Sequence, residues 1–131
     1  MTELHDLSAL DLAAALRTGE VGAVEVLEHT LERAHALGPT VGAFVHLDEE
    51  GARARALEAD EALAAHRRAH GEEHAEELPP LLGVPVPIKD LNQVAGLPFE
   101  AGSAAFAGNV GTVDDGVVTA LRDGGAMSGS V

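Results

Sequence analysis

The chain has no cysteine, which removes disulfides, thiolate metal sites and cysteine nucleophiles together. It has no Trp and no Tyr, and its aromatic residues are Phe44, Phe99 and Phe106. The apolar content is therefore carried mostly by Ala, Val and Leu, and each Ala buries little surface on folding. No apolar run approaches the roughly 18 residues of a membrane-crossing helix. The start, Met1-Thr2-Glu3-Leu4-His5-Asp6, has no basic region followed by an apolar stretch, so no secretory signal is read there. A cytoplasmic location is expected. Basic residues are scarce: 8 Lys and Arg stand against 22 Asp and Glu, a net charge of −14. Such a chain repels a phosphate backbone and an anionic membrane surface, so neither nucleic acid nor membrane is expected as a direct partner. Lysine is scarcer still, because Lys89 is the only one and every other cation is Arg. What remains is ordinary globular composition, 46% hydrophobic and 23% charged over 131 residues, consistent with one domain.

The pattern along the chain is mixed. Ser8 with Asp11 three residues on resembles a capping box, opening a helix that runs to about Arg17 and stops at Gly19. Val24, Leu27, Leu31 and Ala34 recur on one helical face, predicting a second helix over about 23–37 that Gly38-Pro39 ends. Val41 to Leu47 reads as a short strand. Asp48 caps a third helix over about 49–69, and the acidic stretch from His70 to Pro80 reads as a loop. In Leu81 to Asp90, Val84, Val86 and Ile88 alternate with Pro85, Pro87 and Lys89. The two prolines remove ladder donors, so this strand is expected at a sheet edge. Ala95 to Pro98 is a turn, and Ser103 caps a short helix through Phe106. Asp114-Asp115 caps a helix carrying Val117, Val118 and Leu121 and stopped by Gly124-Gly125, and a short strand or frayed end is expected over Ala126 to Val131. The order is α/β, with helices packed on an incomplete mixed sheet.

Few residue sets point to chemistry. A Lys beside an Asp in an edge segment is usually a solvated surface charge; that Lys89 is the only lysine, follows a rigid Pro-x-Pro segment and stands among apolar residues weakens this reading. A lysine serves as a general base where burial or a neighbouring cation lowers its pKa. His66, His70 and His74 are spaced i, i+4, i+8, a spacing metal sites use. Gly71 interrupts them and their context is acidic, which favours a solvated face, and no metal site or cofactor is assigned. No G-x-S-x-G elbow and no phosphate-binding glycine motif occurs.

Leu82-Gly83-Val84-Pro85-Val86-Pro87-Ile88-Lys89-Asp90 resembles the segment that bears the catalytic lysine in the amidase signature family. The resemblance continues through Val94-Ala95-Gly96-Leu97-Pro98, Ala101-Gly102-Ser103, Phe106, Asp114-Asp115-Gly116-Val117-Val118 and Leu121 to Ala126. Upstream, Leu16 to Val21, Val24 to Leu27 and Val41 to Val45 resemble the family's opening helices and first strand. The resemblance implies the N-terminal part of an amidase-signature fold and hydrolysis of carboxylic amides by a serine–cis-serine–lysine triad, with Lys89 as the triad lysine. Asp90 receives no catalytic role, since neighbouring strand residues point opposite ways. The family's Gly-Gly-Ser-Ser-Gly-Gly segment, which carries both serines, is absent. Residues 1–131 are thus expected to be the N-terminal portion of a single amidase-like domain, truncated before its serines and inactive alone. The implied partner is a small-molecule amide. Two alternatives stand beside this reading: the amidase-like subunit of a tRNA-dependent amidotransferase, and a non-catalytic acidic interaction protein that covers its sheet edge by self-association.

Overall fold

The computed structural model describes residues 2–130. Four helices, α1 (Ala9–Thr18), α2 (Ala23–Val41), α3 (Glu49–His70) and α4 (Gly116–Asp123), accompany two strands, β1 (Pro85–Ile88) and β2 (Met127–Ser130). The strands are parallel, with Pro85 opposite Met127 and Ile88 opposite Ser130. Among the described residues one antiparallel bridge, Pro98 with Val110, lies outside them. This is the expected α/β arrangement. The last expected position of the second strand, Val131, lies outside the described residues.

The main core lies between α1, α2, α3 and one face of the sheet. Leu12 and Leu16 of α1, Val26, Leu27 and Leu31 of α2, Val84 just before β1 and Met127 of β2 are buried together. From α3 come Ala52, Ala56, Ala59 and Leu63, at spacings that put them on one helical face. Small side chains along that stripe let α3 lie close against its neighbours, which is how an aromatic-poor sequence closes a core. A second cluster forms near α4, where Ile88, Val94 and Val118 are buried. The sheet is therefore covered by α1–α3 on one side and α4 on the other.

Local signals act at several helix ends. Ser8 Oγ caps α1 by accepting from the Asp11 N–H at 3.1 Å, and it donates to Asp11 Oδ2 at 2.7 Å, so the acid meets the cap hydroxyl in place of the Ser8 N–H of a full capping box. Gly19 ends α1 in the left-handed region at φ +80°. Asp48 accepts from the Gly51 N–H at the start of α3. Gly125, at φ +84°, lies where the chain enters β2, and a Cβ there would come within 2.8 Å of Leu82 Cα and Pro79 Cβ.

Two expectations are corrected. The second helix does not stop at Gly38-Pro39. It continues to Val41, with Pro39 in its last turn and Gly42 closing it in the left-handed region. Proline costs one helical hydrogen bond there, near an end where few remain to be lost. The strand expected over Val41 to Leu47 is absent. Residues 42–48 form an irregular connection, and the Phe44 ring packs where a Cβ on Gly38 would stand, at 3.0 Å. Alternating apolar residues make a strand only where a neighbouring strand is present to pair, and among the described residues none lies beside this segment.

The start of α2 depends on a distant residue. Its N-cap, Gly22, has no side chain, and Asp60 of α3 accepts from the Ala23 N–H at 2.6 Å and the Val24 N–H at 3.1 Å. Asp60→Ala removes this cap from part-buried donors and is expected to cost about 1–2 kcal/mol of stability, measured by urea unfolding. On the surface, Arg53 donates to both carboxylate oxygens of Glu28, at 2.6 and 3.1 Å. That hydrogen bonding holds the Glu28 carboxyl below its ordinary range, against an opposing effect of desolvation. A depressed folded-state pKa contributes stability above the ordinary carboxylate range, lost as pH falls through the lowered pKa. Arg53→Gln is expected to move the Glu28 titration upward in an NMR pH series, with little change in melting because the pair is exposed.

Candidate active site

Lys89 stands directly after β1, where Ile88 is buried and the chain turns outward. The lysine itself is exposed, and among the described residues its ammonium makes no hydrogen bond or ion pair. It thus lies at the carboxyl end of a parallel strand, the end at which open α/β sheets bind their ligands. The Asn92 N–H donates to the Lys89 carbonyl at 3.0 Å, closing the turn that follows.

Beyond that turn, carboxylates fasten the chain by its backbone. Asp90 accepts from the Glu100 N–H at 3.1 Å and the Gly102 N–H at 3.4 Å. Its two oxygens thus serve this loop. Glu100 in turn accepts from the Gly108 N–H at 2.8 Å. Asp115 accepts from the Gln93 N–H at 2.8 Å, and Asp114 accepts from the Ala95 N–H at 2.9 Å. The Asp115 N–H returns to the Gln93 carbonyl at 3.0 Å. Gly111 sits so close to Val94 that a Cβ would meet its carbonyl oxygen at 2.4 Å, which accounts for glycine there.

The Asp114-Asp115 pair therefore does something the sequence did not disclose. Asp115 occupies the N-cap position of α4 but makes no side-chain bond to that helix. Both carboxylates reach back about 20 residues to the segment that follows Lys89. Arg122 of α4 completes the connection. It pairs with Asp114, and its Nε–H donates to Ser128 Oγ of β2 at 3.2 Å. One chain of polar contacts thus runs from the Lys89 loop through α4 to β2. No local signal exposes it, since an Asp pair before a helix satisfies the capping rule equally well.

The other candidate residues fall elsewhere. Ser8 caps α1, Ser103 Oγ accepts from the Ala105 N–H at 3.2 Å in a short 3-10 turn, and the Ser128 hydroxyl is held by Arg122. The rings of His66, His70 and His74 follow one another at centroid distances of 5.0 and 5.5 Å. His66 Nε2 lies 3.0 Å from the Glu73 carbonyl oxygen. Among the described residues no group of three His, Asp or Glu is arranged to hold a metal ion. No helix there is long and apolar enough to cross a membrane.

Residues 25–129 match the family described as Amidase. The chain belongs to the amidase family. It is 41% identical to a putative amidase of Synechocystis over 125 residues, 95% of this chain and 24% of that protein. It is equally similar, at 41%, to a glutamyl-tRNA(Gln) amidotransferase subunit of Salinispora arenicola, over 97% of this chain and 24% of that one. Among solved structures, the native peptide amidase of Stenotrophomonas maltophilia superposes with a TM-score of 0.77 at 29% identity, over 95% of this chain and 24% of that one. This amidase-family chain thus spans about a quarter of the length of the relatives it matches.

The Asp115 clamp has a measurable consequence. Asp115→Ala is expected to speed amide hydrogen exchange at Gln93 while leaving Leu27 and Leu31 in α2 unchanged.

Proposed function

We propose that this chain is the lysine-bearing portion of an amidase-type hydrolase of small carboxylic amides, with Lys89 as its general base. The observation that carries the reading is the position of Lys89. The sole lysine of an amidase-family chain stands at the carboxyl end of a parallel strand, before a loop fastened by Asp90, Asp114 and Asp115. The family's serine–cis-serine–lysine triad supplies the chemistry. In that triad the lysine amine takes a proton from the bridging serine, which takes one from the nucleophilic serine as it attacks the amide carbonyl. Collapse of the tetrahedral adduct expels the amine, which leaves with a proton returned through the bridging serine. Water then cleaves the acyl-serine. Both serines belong to the polypeptide that relatives carry beyond the matched quarter, so residues 1–131 hold the base and not the nucleophile. Direct contact with nucleic acid is disfavoured by the charge of −14.

The relationship to a glutamyl-tRNA(Gln) amidotransferase favours a second reading, in which the amide is that of glutamine and a partner protein carries the tRNA. Hydrolysis of glutamine in preference to other amides distinguishes it.

The test joins this chain to the remaining part of the Synechocystis relative as one polypeptide and follows hydrolysis of an aryl amide. Turnover is expected, with none from residues 1–131 alone. Lys89→Ala is expected to lower kcat by about 10²- to 10⁴-fold. Lys89→Arg does not restore it, because a guanidinium stays protonated. Melting of residues 1–131 carrying Lys89→Ala stays within about 0.5 kcal/mol of the unsubstituted chain, since Lys89 is exposed there. Undiminished kcat in Lys89→Ala would end the proposal.

A further inference from the structure

Two histidines distant in sequence meet on one side of α2. His5 belongs to the 3-10 turn Leu4–Asp6, and His29 sits in α2. His5 Nδ1 lies 3.0 Å from His29 Nε2. The ring planes are 11° apart and the ring centroids 5.2 Å apart. That centroid distance is close to the N···N separation plus the two ring radii, so the two nitrogens point at each other nearly along one line. The contact is therefore an in-plane hydrogen bond and not a face-to-face stack. The line leaves no room for a metal ion between the nitrogens, since each Zn–N bond alone takes about 2.0–2.1 Å. A hydrogen bond between imidazoles needs one nitrogen that donates and one that accepts. A neutral pair satisfies this, and so does a pair carrying one added proton. With both rings protonated, two N–H groups confront each other and two positive charges are brought together.

The bond holds a segment that little else holds. The turn has no buried residue, and Leu4 and Leu7 meet the main core only as partly buried side chains. His5 is exposed and His29 half-buried, so solvent protons reach the pair. Asp6 Oδ1 lies 3.8 Å from the far nitrogen of His5, Nε2, and gives that ring a second partner. Arg33, one turn along α2, lines the same surface depression as both rings, and the other residues lining it carry no charge. Glu25 stands one turn to the other side of His29, Glu32 three residues on, and Glu3 just before the turn. Glu28 is taken by Arg53. Among the described residues, only Asp6 comes within ion-pair distance of either ring. We infer that His5 and His29 form an acid-sensitive latch. The turn Leu4–Asp6 is held on α2 while at least one of the two imidazoles is neutral, and it is released when both carry a proton. Unperturbed imidazoles change charge between about pH 5 and 8, so the hold is present at neutral pH and lost on mild acidification. The latch is independent of Lys89 and of amide hydrolysis.

The test follows the 131-residue chain by NMR from about pH 8 down to about pH 5. Contacts between the His5 and His29 ring protons are expected at the upper end and lost at the lower. The Leu4 and Leu7 methyl resonances are expected to shift in the same transition. Contacts of Leu27 and Leu31 in the main core are expected to stay. His29→Gln keeps a side chain that both donates and accepts and does not titrate. It is expected to hold the turn at every pH and to abolish the transition. His29→Phe keeps a ring without nitrogen and is expected to free Leu4 and Leu7 throughout. Asp6→Asn is expected to leave the transition in place. Ring contacts that persist at the acid end, or that are missing at the neutral end, overturn the latch. So does an unchanged transition in His29→Gln, or its disappearance in Asp6→Asn. Loss of the Leu27 and Leu31 contacts in the same step makes the event general unfolding and overturns it too.

Discussion

The parallel pairing of Pro85–Ile88 with Met127–Ser130 is the constraint on which the rest of this structure depends. Two parallel strands cannot be joined by a tight turn, so the chain must travel from one end of the sheet back to the other. The intervening residues make that crossing, and α4 is its helix. The outgoing strand ends at Lys89, which leaves the lysine on the rim where the crossing begins. The returning strand enters through Gly124 and Gly125, whose carbonyls accept from the Leu81 and Gly83 N–H groups. The same register thus seats the lysine, aims the loop after it and packs α4 on the sheet.

Acidic residues have two kinds of employment in this molecule. Glu28 and Glu49 meet Arg53 on the surface, where water screens the pairs and their worth is small. Asp48, Asp60, Asp90, Asp114 and Asp115 instead accept backbone N–H donors that lack helix or sheet partners. A charge of −14 therefore describes more than a solvated exterior. The short Asp side chain reaches a nearby N–H with little conformational freedom to lose, and an ionised acceptor makes the stronger bond. The loop behind Lys89 leaves Leu91, Phe106, Val110 and Val113 exposed, and hydrogen bonds fasten it where packing does not.

The two glycines and two prolines around the sheet act by what they lack. Gly111 and Gly125 have no Cβ where backbone passes within contact distance. Pro85 and Pro87 have no N–H to give to a ladder. Each absence closes an alternative arrangement, so these residues determine where the chain can approach itself and which strand positions can donate.

Much of this was legible along the chain because the physics is local. Ser8 with Asp11, Gly19, Asp48 before α3 and the alternating prolines each act on neighbours within a few residues, and each appears in the structure as its spacing implies. The Lys89 segment was legible for a different reason, its resemblance to a family motif. The strand expected at Val41–Leu47 failed because alternation describes a surface and cannot supply the neighbouring strand it needs. Asp60 and the Asp114-Asp115 pair look like ordinary helix charges along the chain, because their acceptor roles involve donors 19 to 37 residues away. The sequence by itself determined the helices, the edge character of β1 and the lysine. Tertiary structure alone decided which backbone donors the aspartates receive and how the two strands pair, because both depend on the register of segments distant in the chain.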